Sequence, residues 1–171
     1  MTHRKLREPA VPSKNVTLEE AVELARMVKT PPVKKFSGKY RFLSNFYSCP
    51  VEFDGLMYKS SEHAYQAAKA TNSHDRNKVR NARDANESKR FGRQITCRSD
   101  WEKIKVRVMR DILWDKFVRN VDLKVKLIGT GDAHLEEGNG WGDTFWGTVK
   151  GVGHNNLGNL LMQIRKDIWE A

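Results

Sequence analysis

Cysteine is scarce in this chain: Cys49 and Cys97 are the only two, with no CxxC spacing. Neither a disulfide framework nor a cysteine zinc site is suggested, and both read as buried or idle thiols. The histidines (His3, His63, His74, His134 and His154) are scattered without i, i+4 pairing, so no helical metal site and no metal are expected. Long apolar runs are also missing. The basic N-terminus leads into Pro9, Val11 and Pro12 rather than a signal-peptide core, which points to a soluble intracellular protein, cytoplasmic or, in a eukaryote, nuclear, with no membrane contact. Acidic charge is in deficit: 31 Lys and Arg stand against 21 Asp and Glu, a formal net charge of +10.

What is present describes a folded domain. A hydrophobic fraction of 39%, five tryptophans and 171 residues suffice for one compact core, with room for a short appendage. Residues 1–16 are polar and aperiodic and read as a mobile arm. Thr17-Leu18-Glu19-Glu20 is a capping box, and Leu18, Val22, Leu24, Ala25 and Val28 predict an amphipathic appendage helix that stops before Pro31-Pro32. The compact domain is expected over residues 36–171, with residues 1–35 appended. Phe36 to Tyr47, rich in aromatics broken by Gly, Ser and Asn, predicts a short strand and a loop. Val51-Glu52-Phe53 and Leu56-Met57-Tyr58 around Asp54-Gly55 predict a hairpin. His74 to Gly92 reads as short exposed helices. A second capping box at Ser99 to Glu102 opens the longest helix, with Trp101, Ile104, Val108, Ile112, Leu113 and Phe117 facing a core. A shorter helix ends at Gly129, a glycine-rich loop runs from Glu136 to Gly153, and a last helix spans about Leu157 to Trp169.

The segment Ser61 to Lys69 reads as the first two turns of a helix capped by Ser60 or Ser61. Glu62, Gln66 and Lys69 fall on one stripe, between the small flanks Ala64, Ala67 and Ala68. An acid early and a lysine late in a helix is ordinary design, since the dipole favours the ionised acid in the first turn. The same stripe also places a carboxylate, an amide and an amine on one face. Between Lys69 and Arg110 thirteen basic residues face five acidic ones, a surplus that either solubilises or attracts phosphate-bearing partners. Gly142 to Gly147 sets Asp143 beside Trp146, as a turn acid with a core anchor or as a carboxylate beside a stacking surface. Gly151 to Asn156 precedes a helix start, where free N–H groups can hold a phosphate. It lacks the dinucleotide-binding fingerprint.

In order, Phe42-Leu43-Ser44-Asn45-Phe46-Tyr47, Asp54-Gly55 with Tyr58, Ser61-Glu62-His63 through Gln66 to Lys69, Trp101, Met109, Lys116-Phe117, Asp143 with Trp146-Gly147, and Asn156-Leu157-Gly158 with Leu161-Met162 and Arg165 resemble the NADAR/YbiA-like family over roughly residues 36–169. The resemblance implies a single, mostly helical α+β domain with a small β-hairpin. It also implies N-glycosidase activity on ribosylated or ADP-ribosylated amines, without a cofactor. Glu62, Lys69 and Asp143 would be catalytic. Ser44, Asn45, Phe46, Tyr47, His63, Gln66, Trp101, Trp146, Gly147 and Asn156 would bind substrate or support the site. A carboxylate stabilises the oxocarbenium character that develops at ribose C1′ and moves a proton, and a desolvated lysine can form an imine with the opened ribose. The alternative for Lys69 is a phosphate or hydroxyl ligand, with direct attack by water.

The expected partner is an ADP-ribosylated guanine nucleotide or nucleic acid, DNA ahead of RNA, with ADP-ribose as product and the protein a monomer. The alternatives are an N-glycosidase for phosphorylated riboflavin-pathway intermediates, a non-catalytic ADP-ribose or NAD-binding module, and a partner-binding protein built on the first helix.

Overall fold

The computed structural model describes residues 17–27 and 29–171. The arm assigned to residues 1–16 and Val28 of the first helix's apolar stripe lie outside the described residues. The chain forms two compact units, one of residues up to 43 and from 121 onward, the other of residues 44–120.

The second unit begins with the hairpin. Strand β1 (Val51–Phe53) pairs antiparallel with β2 (Leu56–Tyr58), Val51 opposite Tyr58 and Phe53 opposite Leu56. Asp54 and Gly55 both adopt positive φ, 51° and 72°, as a two-residue turn matched to the twist of a hairpin requires. Helix α2 (Ser61–Ala67) follows, then α3 (Ser73–Arg80), α4 (Ala85–Gly92) and the 19-residue α5 (Trp101–Arg119). Every residue of α2 is buried, and α3, α4 and α5 pack around it. Its alanines permit the close approach. The core beside it holds Val51, Tyr58, Val79, Met109, Ile112, Leu113 and Phe117.

The capping box expected at Ser99 is not formed. Asp100 occupies the cap position without a side-chain cap bond, because its carboxylate is held by Arg98 at 2.6 and 3.0 Å. A charge-assisted bidentate bond outcompetes a cap.

In the first unit, α1 (Leu18–Met27) opens with the expected capping box. The Thr17 hydroxyl accepts from the Glu20 N–H at 3.2 Å, and the Glu20 carboxylate accepts from the Thr17 N–H at 2.9 Å. Helix α1 packs on α6 (Val121–Ile128), and α6 on α7 (Asn156–Glu170). The strand expected after Phe36 is instead a 3-10 helix, Gly38–Leu43, that buries Phe42 and Leu43. Gly38 at φ 55° turns the chain, and aromatic β-propensity yields to burial of those side chains. Backbone pairing in this region falls to Val33, which lies parallel to Leu135.

Candidate active site

Helix α2 is anchored at its start by Ser60, whose hydroxyl accepts from the His63 N–H at 3.3 Å. The His63 ring is spent on the same anchor. Nε2 donates to the Ala82 carbonyl at 3.3 Å, so Nδ1 is the acceptor for the Ser60 hydroxyl at 2.7 Å. Burial lowers the His63 pKa and keeps the ring neutral. His63, expected among substrate contacts, is thus a brace of the helix start.

One turn of helix then does most of the arranging. Glu62 is buried, and its Oε1 accepts from Gln66 Nε2 at 2.7 Å. Gln66 Oε1 in turn accepts from Lys69 Nζ at 2.7 Å. Carboxylate, amide and amine form one hydrogen-bonded chain. Helix α2 ends at Ala67, so Lys69 does not stand two full turns above Glu62. The chain tightens at Lys69 N–H to Gln66 O (3.3 Å), and the amine folds back over Tyr65 and Trp101, 5.4 and 5.7 Å from their ring centres. These rings sit 5.0 Å apart, tilted by 57°.

Burial decides the electrostatics. It raises the Glu62 pKa, against the Gln66 hydrogen bond and the charges of Lys89, Lys69 and Arg93, all of which favour the anion. The helix dipole was expected to keep this acid ionised, but desolvation of a buried carboxyl is the larger effect. Burial also lowers the Lys69 pKa, with Glu62 opposing and Lys89 and Arg93 assisting. An acid raised and an amine lowered is the pairing that proton transfer near neutral pH needs.

The loop from Ser44 to Tyr47 closes one side. The Asn45 carbonyl accepts from the Glu62 N–H at 3.0 Å, and its side chain donates to Met109 Sδ at 3.4 Å. Asn45 Oδ1 is buried without a partner, an acceptor available to a ligand hydroxyl or a water. Ser44 Oγ accepts from the Phe46 N–H, and Lys89 Nζ lies 5.6 Å from the centre of the Phe46 ring. Beneath the loop, Lys116 is fully buried and donates to the Ser44 carbonyl at 2.9 Å, with the Tyr47 ring centre 5.7 Å away. Lys116 thus ties the loop to α5.

Asp143, Trp146, Gly147 and Asn156 gather in the first unit. Asp143 Oδ1 accepts from the N–H groups of Phe145 and Trp146 at 3.0 and 2.8 Å, and Asn139 pins the Asp143 backbone on both sides. Trp146 stands edge-on to Phe145 at 5.0 Å. Asn156 Nδ2 donates to the Phe145 carbonyl at 2.8 Å, and a Cβ on Gly147 would lie 2.1 Å from the Glu137 carbonyl oxygen. Asn156 and Gly147 therefore shape the loop that presents Asp143 and Trp146.

The N–H groups ahead of α7 that could hold a phosphate are committed within the protein from His154 to Leu157. The N–H groups of His154, Asn155, Asn156 and Leu157 donate to the carbonyls of Thr144, Gly147, Phe145 and Trp146. A cavity of about 660 Å³ in the same unit is lined by Asp132, Arg165 and Trp169 but by no candidate residue. Among the described residues no cluster of His, Cys, Asp or Glu could hold a metal ion, and no helix is long and apolar enough to cross a membrane.

Four participants escaped the sequence reading. Tyr65, Lys89 and Arg93 carry no pattern that separates them from surface or core residues, whereas Lys116 stands among the motif residues of the family resemblance but was given no role there. Gly92 had a visible signal as a glycine inside a helical segment, read only as its end. A Cβ there would lie 2.0 Å from Gln66 Oε1 and 2.9 Å from Gln66 Cβ, so glycine is what lets the Gln66 amide sit where it does.

Residues 33–169 match the NADAR domain family. A riboflavin biosynthesis protein of Vibrio vulnificus is 41% identical over 132 residues, 75% of this chain, and the chain spans only 36% of that relative's length. N-glycosidase YbiA of Shigella sonnei is 36% identical over 135 residues, covering 77% of this chain and 84% of the relative. The NMR structure of the Escherichia coli protein YbiA superposes with a TM-score of 0.72 at 33% identity, covering 82% of this chain and 86% of that one. On the family match and on this shared α+β fold, the chain belongs to the NADAR family.

Proposed function

We propose that this chain is an N-glycosidase that hydrolyses the bond between ribose C1′ of an ADP-ribosyl group and a guanine nitrogen, in nucleic acid or nucleotide, and so reverses ADP-ribosylation. The observation that carries the reading is the hydrogen-bonded chain of the buried Glu62 and Gln66 with the half-buried Lys69, in which burial moves acid and amine toward each other's working range. Two relatives' names add support, since the Shigella and Escherichia proteins carry the name YbiA and the former is called an N-glycosidase. The basic surplus between Lys69 and Arg110 favours a polyanionic substrate, DNA before RNA.

In this mechanism the ribose ring of the substrate opens, C1′ becoming an iminium on the base nitrogen while O4′ takes a proton from Glu62. Lys69, as free amine, adds to C1′ and returns a proton to Glu62. The base nitrogen takes a proton from Glu62 and leaves with the electron pair of the broken C–N bond. Water then adds to the lysine imine, Glu62 accepts its proton, and C–N cleavage returns the amine and releases ADP-ribose.

A second reading, cleavage of phosphorylated riboflavin-pathway ribosylamines, is favoured by the name of the Vibrio relative.

The test is release of ADP-ribose from an ADP-ribosylated guanine oligonucleotide, run beside a ribosylamine phosphate. Glu62→Gln is expected to lose about a hundredfold or more in kcat, and Lys69→Ala a similar factor, both with the fold intact. Borohydride should trap a wild-type adduct at Lys69. Turnover of the ribosylamine alone moves the function to the second reading, and turnover without any trapped adduct removes the imine in favour of direct water attack.

A further inference from the structure

The Gln66 side chain was expected to touch substrate, yet both of its heteroatoms are engaged within the protein. Nε2 donates to Glu62 and Oε1 accepts from Lys69, each at 2.7 Å, and the residue is buried. The orientation has a chemical reason. An ionised carboxylate only accepts, and an ammonium only donates, so the amide must turn its nitrogen to Glu62 and its oxygen to Lys69. The reverse orientation would require a protonated Glu62 and a neutral Lys69.

On the far side, α4 presents Gly92. A Cβ there would stand 2.0 Å from Oε1, 2.8 Å from Cδ and 2.9 Å from Cβ of Gln66. Because even the Gln66 Cβ is too close, rotation of the amide alone cannot relieve the clash.

We propose that Gln66, seated by Gly92, is a positioning residue that joins Glu62 and Lys69 into one proton-holding unit. The inference rests on the assignment of those two residues as the reacting groups. By taking one N–H of Lys69, the amide directs the remaining valences of the amine, including the lone pair of its neutral form, away from the protein. By donating to Oε1 of Glu62, it leaves Oε2 for the proton that is moved. The groups facing the unit are Lys89 from α4, Arg93 just after its end and Cys97 from the chain paired with Ala70. The first two favour the Glu62 anion and an amine without its proton, and Cys97 favours the ammonium.

The test titrates the substrate-free protein by carbon NMR, following the Glu62 carboxyl and the Lys69 Cε, so that its outcome does not depend on which substrate is turned over. In Gln66→Met both groups lose their partner: the Glu62 pKa should rise and that of Lys69 fall, each by about one unit, a tenfold change in protonation ratio. In Gln66→Glu a new carboxylate lies between them, so Glu62 should rise again but Lys69 should now rise. The fall at Lys69 in Gln66→Met, a variant of similar size without the amide, is not expected of a residue that only fills space. Gly92→Ala should move the titrations as Gln66→Met does, and in Gln66→Ala the further change Gly92→Ala should add little. Unchanged titrations in Gln66→Met, or Lys69 shifts of the same sign in the Met and Glu variants, would overturn the proposal. Inactivity of the wild type toward both substrates, with the titrations behaving as stated, would instead count against the reaction assigned to the site.

Discussion

Burial holds the Glu62 pKa above its ordinary value of 4.5, so folding costs free energy wherever the unfolded chain would ionise this acid. In the window between 4.5 and the raised pKa the folded state binds the extra proton, and stability falls as pH rises through it. Above the window the loss is complete. Glu62→Gln keeps an oxygen for Gln66 to donate to and removes the charge, so the variant should melt at a higher temperature than wild type at pH 7. The difference should vanish near pH 4. Thermal unfolding at the two pH values measures both, and the same variant should be nearly inactive. Lys69 is depressed by burial in the complementary sense, so the site holds two groups that the fold pays to keep.

At the scale of elements, helix α2 depends on its first turn. Ser60 satisfies a backbone N–H and the buried Nδ1 of His63 together. Ser60→Ala removes a cap, about 1 kcal/mol, and strands a buried ring nitrogen, about 1 to 2 kcal/mol more. The denaturant midpoint should fall by the equivalent of about 2 to 3 kcal/mol with an unchanged slope. A loss under about 0.5 kcal/mol would show that Ser60 does not hold the helix. Because the Glu62 N–H is also bound to the Asn45 carbonyl, the frayed helix start should lower activity as well. The hairpin contributes differently. Its Asp54-Gly55 turn sets the register that brings Tyr58 opposite Val51 and delivers the chain to Ser60 at one defined point.

Over the whole molecule the charge of +10 makes a separate prediction. If the substrate is nucleic acid, bound phosphates release counterions, and even two neutralised phosphates cost about tenfold in affinity between 50 and 200 mM salt. The specificity constant kcat/KM for the oligonucleotide should fall by at least that factor, while kcat/KM for a small ribosylamine phosphate should change much less. Equal, weak salt dependence of both would mean that the basic surplus serves solubility.

Local rules were enough for much of this protein. The hairpin needed only Asp54-Gly55 between two apolar runs, α1 needed Thr17 and Glu20, and the stripe of Glu62, Gln66 and Lys69 followed from helical spacing. The resemblance of ordered motifs placed the chain in its family. Local rules misread Phe36 to Leu43, where burial of Phe42 outweighed strand propensity, and Ser99, where Arg98 took the carboxylate of the capping residue. They also offered free N–H groups ahead of α7, where those of His154, Asn155 and Asn156 donate instead to carbonyls of residues 144–147.

Protonation lies beyond sequence in the same way. A helix dipole is local and argues for an ionised Glu62, whereas desolvation comes from every element packed around α2 and reverses that preference. The role of Gly92 is tertiary too: α4 brings it to within a missing methyl of Gln66. Sequence by itself determined which residue types stand on one helix face, because spacing along a helix is a property of the backbone. Only tertiary structure decided which of them touch, which carry protons and which are spent on the fold, because burial and hydrogen bonding depend on neighbours far away in the chain.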